Sequence, residues 1–124
     1  MHLLLTSLLL TLTSFSQNQD CKRFRNGTFK MEIKGTTTII ERRETTQLEY
    51  FNHSKILTSY TIEWTDDCTY TLKPKEDTFK KYPNLPKDAI VTARITKTTD
   101  SSYTQTTTSN FHDMVVTVDV VKIN

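Results

Sequence analysis

From Cys21 onwards the chain alternates apolar and polar residues with the two-residue period of half-buried β-strands. The most informative stretch runs from Tyr60 to Leu72. Tyr60, Ile62 and Trp64 point one way, Asp66-Asp67 breaks the run as an acidic turn, and Cys68, Tyr70 and Leu72 share a face beyond it. This predicts a β-hairpin with an aromatic core face, to which Phe29 and Phe111 are expected to add rings. Earlier, Asn26-Gly27 is a turn signal, and Phe29, Met31 and Ile33 then alternate with Lys30, Glu32 and Lys34 up to Gly35. Thr36 to Arg43 is β-branched and predicts a second strand, whose adjacent Ile39 and Ile40 leave its inward face undecided. Gln47 to Phe51 reads as a third strand, and Asn52-His53-Ser54-Lys55 as the turn after it. Ile56 to Trp64 and Cys68 to Lys73 form the two arms of the central hairpin.

The middle of the chain breaks this rhythm. Pro74, Pro83 and Pro86 bracket Lys75 to Tyr82, where Phe79 and Tyr82 lie three apart. A single short helix ended by Pro83 fits, as does an irregular loop. Strands then resume with Ile90 to Ile95, in which Val91, Ala93 and Ile95 share a face. Tyr103 to Thr108 is less apolar and is expected at the periphery, and Val115 to Ile123 is the most strongly β-branched segment. About eight strands joined mainly by short turns predict an all-β fold: a small antiparallel meander, closed as a lipocalin-like barrel or half-barrel, or folded as a sandwich.

The N-terminus adds a compartment. Leu3 to Leu12 is an apolar run too short to span a bilayer, and Ser14-Phe15-Ser16 offers small residues for cleavage. Residues 1–16 are therefore expected to be a signal peptide, and residues 17–124 a single β domain exported to the periplasm or secreted. A lipid anchor on Cys21 is disfavoured by the polar Gln17-Asn18-Gln19-Asp20 before it. In an oxidising compartment Cys21 and Cys68, an even pair without a Cys-x-x-Cys motif, are expected to form a structural disulfide. Closing such a loop contributes about 4 kcal/mol by chain entropy.

Charge changes the picture little. Sixteen Lys and Arg against fourteen Asp and Glu give a net charge of +2, which is no electrostatic footprint for nucleic acid. The densest basic cluster, Lys22-Arg23-Phe24-Arg25, reads as the solvated start of a strand.

Candidate chemistry is sparse. His53 and His112 have no second ligand at zinc spacing, so no metal or other cofactor is expected. There is no Gly-x-Ser-x-Gly elbow, phosphate-cradling glycine loop or free Cys-His arrangement, and no enzymatic role is expected. Asp66-Asp67 and Glu76-Asp77 read as turn acids. Asn26-Gly27-Thr28 and Asn52-His53-Ser54 match the glycosylation acceptor pattern. The remaining polar group is Arg42 with Gln47 and Glu49, which flank a turn near Arg43-Glu44-Thr45-Thr46. A surface cross-strand pair between Arg42 and Glu49, worth under about 1 kcal/mol, is the favoured reading. Pointing inward, the three would instead be the polar fixtures of a ligand cavity.

The stretch from Cys21 to Leu72 also resembles a family of short exported proteins of Bacteroidota-type bacteria. The family's opening motif, Cys-x-x-Phe-x-x-Gly-x-Phe, is met by Cys21, Phe24, Gly27 and Phe29. Its central motif, Ile-Glu-Trp-x-x-x-Cys-x-Tyr-x-Leu, is met by Ile62, Glu63, Trp64, Cys68, Tyr70 and Leu72. Between them Ile39-Ile40-Glu41-Arg42 and Gln47-x-Glu49 also match. The resemblance implies a signal peptide, a disulfide and a β fold. Members often carry the name DNA topoisomerase IV. That activity requires a large multidomain machine with a nucleotide site and a cytoplasmic address, which a small exported chain does not fit. The functional expectation is a barrel that binds a small or apolar ligand in the envelope. The alternative is a non-catalytic structural or protein-interaction module, with no membrane span after signal cleavage.

Overall fold

Eight strands follow one another around a closed antiparallel barrel, each hydrogen-bonded to its neighbours in the chain, with β1 and β8 completing the ring. The strands are β1 (Gly27–Ile33), β2 (Thr36–Arg43), β3 (Thr46–Phe51), β4 (Leu57–Asp66), β5 (Thr69–Pro74), β6 (Val91–Thr98), β7 (Ser102–Ser109) and β8 (Val116–Lys122). A 3-10 turn, Cys21–Phe24, precedes them, and one helix, α1 (Glu76–Lys81), lies between β5 and β6. The computed structural model describes residues 19–51 and 56–124. The expected signal peptide, the turn at residues 52–55, His53 and the acceptor at Asn52 lie outside them.

The two-residue period decides which side chains fill the barrel. Phe29 and Met31 face inward from β1, and Ile40 from β2, leaving Ile39 on the outer side. The central hairpin pairs Ile62 with Leu72 and Trp64 with Tyr70 across one face. The Trp64 and Tyr70 rings lie 4.8 Å apart. Ile62, Tyr70 and Leu72 are buried, whereas Tyr60 and Trp64 are half-buried beside them. From β6, Ala93 and Ile95 are buried and Val91 is half-buried.

One end of the barrel is sealed. The 3-10 turn crosses it and drops Phe24, fully buried, between Phe29 and Tyr103. Burying a Phe side chain contributes about 1.5–3 kcal/mol. Cys21 is bonded to Cys68 at the β4–β5 turn, closing a separation of 47 residues and fastening the plug. Lys22-Arg23-Phe24-Arg25 is therefore the barrel's lid at this end rather than a solvated strand start: its charges stay outside while its aromatic ring goes in.

Two further expectations are corrected. The segment at Tyr103 to Thr108 is not peripheral: β7 pairs with both β6 and β8 and sends Tyr103 and Gln105 into the interior. A closed barrel has no peripheral strand, so low hydrophobicity did not mark an edge. Phe111 is not in the core. It sits in the β7–β8 connection and is 40% exposed.

At the opposite end α1 packs outside β4. Thr78 accepts a hydrogen bond from the Ser59 N–H at 2.8 Å and donates one to the Ser59 carbonyl at 2.7 Å, and Asp77 accepts from the Ser59 hydroxyl. Glu76-Asp77 thus starts the helix, with the Asp77 carboxylate also taking the Thr78 N–H.

Candidate functional site

Arg42 sits at the centre of the barrel and is fully buried. Strand β2 carries it inward because it shares a face with Thr38 and Ile40. Its Nε donates to Gln47 Oε1 at 2.7 Å and its Nη1 to the Phe24 carbonyl at 2.9 Å. Its Nη2 donates to the Tyr70 hydroxyl at 3.0 Å and the Tyr103 hydroxyl at 2.7 Å. The guanidinium also lies over the Phe29 and Tyr70 rings, 4.6 and 4.7 Å from their centres. Burial works against the charge, but the Tyr103 and Tyr70 oxygens and Glu49 outweigh it, so Arg42 stays protonated. No ion pair joins Arg42 to Glu49 among the described residues, and the surface-pair reading is corrected: both side chains point into the barrel.

Because a guanidinium has donors and no acceptors, it fixes the direction of every hydrogen bond around it. Gln47 must turn its oxygen to Arg42, so its amide nitrogen donates to Glu49 Oε1 at 3.2 Å. Tyr70 accepts from Arg42, so its own proton goes to Gln105 Oε1 at 2.5 Å. Gln105 then donates from its amide nitrogen to Thr107 Oγ1 at 3.1 Å. Two donor chains therefore rise from Arg42, one through Gln47 and one through Tyr70 and Gln105. Each amide nitrogen keeps a second N–H.

Above this floor the barrel is hollow. A cavity of about 200 Å³ opens towards the helix end. Gln47, Glu49, Tyr70, Gln105 and Thr107 form its polar side, and Met31, Ile40, Leu72, Val91, Ala93 and Val118 line the rest. Arg42 is not among the lining residues. It holds the floor from beneath, with all its nitrogens already bonded.

Glu49 is the one carboxyl that lines the cavity among the described residues. Burial pushes its pKa above the usual carboxylate value, against the opposing Gln47 hydrogen bond and Arg42 charge. Tyr60 is pushed far above the ordinary phenol value by burial and by the Glu49 carboxylate beside it, so it remains neutral. Tyr70 is shifted in the same direction, again chiefly by burial.

The pattern of the chain brought Arg42, Gln47 and Glu49 together but not their partners. Phe24, Tyr103 and Gln105 complete the floor, and the alternation of Tyr103, Gln105 and Thr107 along β7 was the available signal. The other candidate groups serve the scaffold. Asp66 accepts the Cys68 N–H at 2.9 Å, which lowers its pKa, and Asp67 lies 3.5 Å from Arg25 on the surface. His112 Nδ1 accepts the Met114 N–H at 2.9 Å. Among the described residues no three His, Cys, Asp or Glu side chains gather as a metal site. No helix of the described chain is long and apolar enough to cross a membrane. No family model matches the chain, and no curated protein or solved structure matches it significantly.

Proposed function

We propose that the protein is an exported, non-catalytic carrier or sensor that binds a small, largely apolar ligand inside the barrel, with one polar group of the ligand resting on the floor. The observation that carries this reading is the cavity above the Arg42 network. The lower half of the barrel is packed around Phe24, Phe29, Ile40 and Tyr103, yet the upper half leaves about 200 Å³ open. That exceeds the roughly 150 Å³ that accommodates a benzene ring in an apolar cavity and falls below the roughly 300–1,000 Å³ of drug-sized sites. The Cys21–Cys68 bond fits an oxidising, exported location. The floor uses its polar groups to hold one another in place, an arrangement suited to orienting a ligand.

Amide NMR titrations with benzyl alcohol, indole and hexanoic acid test the reading. Saturable shifts centred on Leu72, Ala93, Gln105 and Thr107 are expected, and they should vanish in Ala93→Leu, which fills the space from β6. Shifts spread over the exterior, or unchanged by that substitution, would remove the cavity as the site.

A second reading, an interaction module, is favoured by the apolar residues left outside near β8. Met114, Val115, Val121 and Ile123 are 59, 63, 42 and 53% exposed. Under that reading the cavity-filling variant would keep its partner binding, and substitutions at Val121 and Ile123 would lose it.

A further inference from the structure

The closing pair of the barrel is incomplete. β1 and β8 are in register only at Phe29–Lys122, Lys30–Val121 and Met31–Val120. Below these pairs the contact continues, with the Thr28 N–H donating to the Asn124 carbonyl at 2.8 Å and the Ile123 N–H to the Thr28 carbonyl at 2.8 Å. Above them the strands part. Continued in register, the next pair would set Glu32 opposite Asp119, and the one after it Ile33 opposite Val118. Glu32 and Asp119 both belong to the outer face, and like charges directly opposite each other oppose pairing. Each has taken another partner: Glu32 lies 3.1 Å from the Lys30 ammonium, and Asp119 accepts from the Thr104 hydroxyl at 2.6 Å.

The parting makes a notch in the barrel wall. An external groove of about 650 Å³ runs over it, bordered by Lys30, Glu32, Asp119, Val121 and Ile123. Ile33, Val116 and Val118 line both this groove and the interior cavity, so at the notch the two spaces share a wall of three apolar side chains. The shortest way from the cavity to the groove lies past these apolar side chains, where the β1–β8 ladder has ended. The cavity alone holds a group little larger than a benzene ring.

The floor selects the polar end. Gln47 and Gln105 offer amide N–H groups, with the buried Arg42 charge behind them, which suits an oxygen acceptor with negative charge. Glu49 faces the same space. The groups around it are Arg42 through Gln47 on the β2–β3 side, Thr58 and Tyr60 from β4, and Tyr70 from β5. Only Arg42 among these is charged at neutral pH, so one negative charge balances the floor. A ligand carboxyl beside Glu49 shares one proton with it, as two carboxyls in one site do.

We propose that the ligand is a linear monocarboxylic acid, seated with its carboxyl on the Gln47–Gln105 floor and its chain leaving the barrel through the β1–β8 notch. This rests on the cavity-binding reading above and adds to it the ligand's class and path.

Calorimetric titration with hexanoate, decanoate and tetradecanoate, kept below their micelle concentrations, tests it on the oxidised full-length protein. Affinity should rise at least tenfold from hexanoate to tetradecanoate and fall for each acid as pH rises. Asp119→Lys places opposite charges across the notch and should zip the strands. Hexanoate binding should then stay within about twofold, since the residue lies outside the cavity, while the gain with chain length is lost. The double variant Glu32→Lys with Asp119→Lys restores like charges and should restore the gain. Hexanoate that binds with no gain for longer acids, or a gain that survives Asp119→Lys, overturns the notch and leaves the cavity reading standing. Decanol or decylamine binding as tightly as decanoate overturns the carboxyl assignment. Failure of every acid, alcohol and amine, together with benzyl alcohol and indole, overturns the cavity reading itself.

Discussion

Arg42 joins the plug, β3, β5 and β7 through a single planar group, and no point charge on a flexible stem reproduces that fork. Arg42→Met would leave the Phe24 carbonyl and the Gln47 oxygen buried without donors. A loss of about 3–5 kcal/mol is expected, read as a lower urea midpoint, with Arg42→Lys only partly rescuing it. Glu49 works in the opposite sense. Its folded-state pKa is raised, so the folded protein favours its neutral form. The associated stability is complete below the ordinary Glu pKa and is lost as pH rises through the raised folded value. Glu49→Gln keeps an acceptor for Gln47 and removes the charge. The stability difference between the two proteins should therefore move in favour of Glu49→Gln as pH rises through that window, and a constant difference in urea titrations would contradict the buried carboxyl. In the chain the inward placement stood only as the alternative to a surface pair. An Arg and a Glu on facing strands look like a surface pair unless the inward face of β2 is known, and the adjacent isoleucines hid that face.

Elements were easier to read than their orientation. The central hairpin, β1 and β6 follow from alternation and turn acids, both local features, whereas the prolines left helix and loop open between β5 and β6 and the structure chose the helix. β3 shows what local features omit: Gln47 and Glu49 face inward while Leu48 and Tyr50 face outward, the reverse of a simple apolar core. β7 was undervalued for the same reason, because threonines and a glutamine look like an edge until a polar floor needs them. The plug is the element most dependent on one bond. In the Cys21→Ser with Cys68→Ser variant, loss of about 4 kcal/mol of chain-entropy stabilisation should lower the melting temperature by more than about 10 °C. A melt unchanged by the double substitution would show that Phe24 seats the plug without its staple.

At the scale of the whole molecule, the topology after Lys73 came from the structure, while the sequence by itself determined the all-β class, most of the strands and the pairing of its two cysteines. These depend on two-residue periodicity, turn chemistry and counting, which act over a few residues or admit one solution. Tertiary structure decided the rest. Closure brings Phe29 beside Lys122, from opposite ends of the fold, and only then does β7 become interior and Phe24 a plug. The cavity is lined by side chains from seven of the eight strands, so no single strand encodes its volume. The notch begins at the rung where continued pairing would set Glu32 opposite Asp119. Each is an ordinary surface acid on its own strand, and their repulsion exists only once the barrel closes.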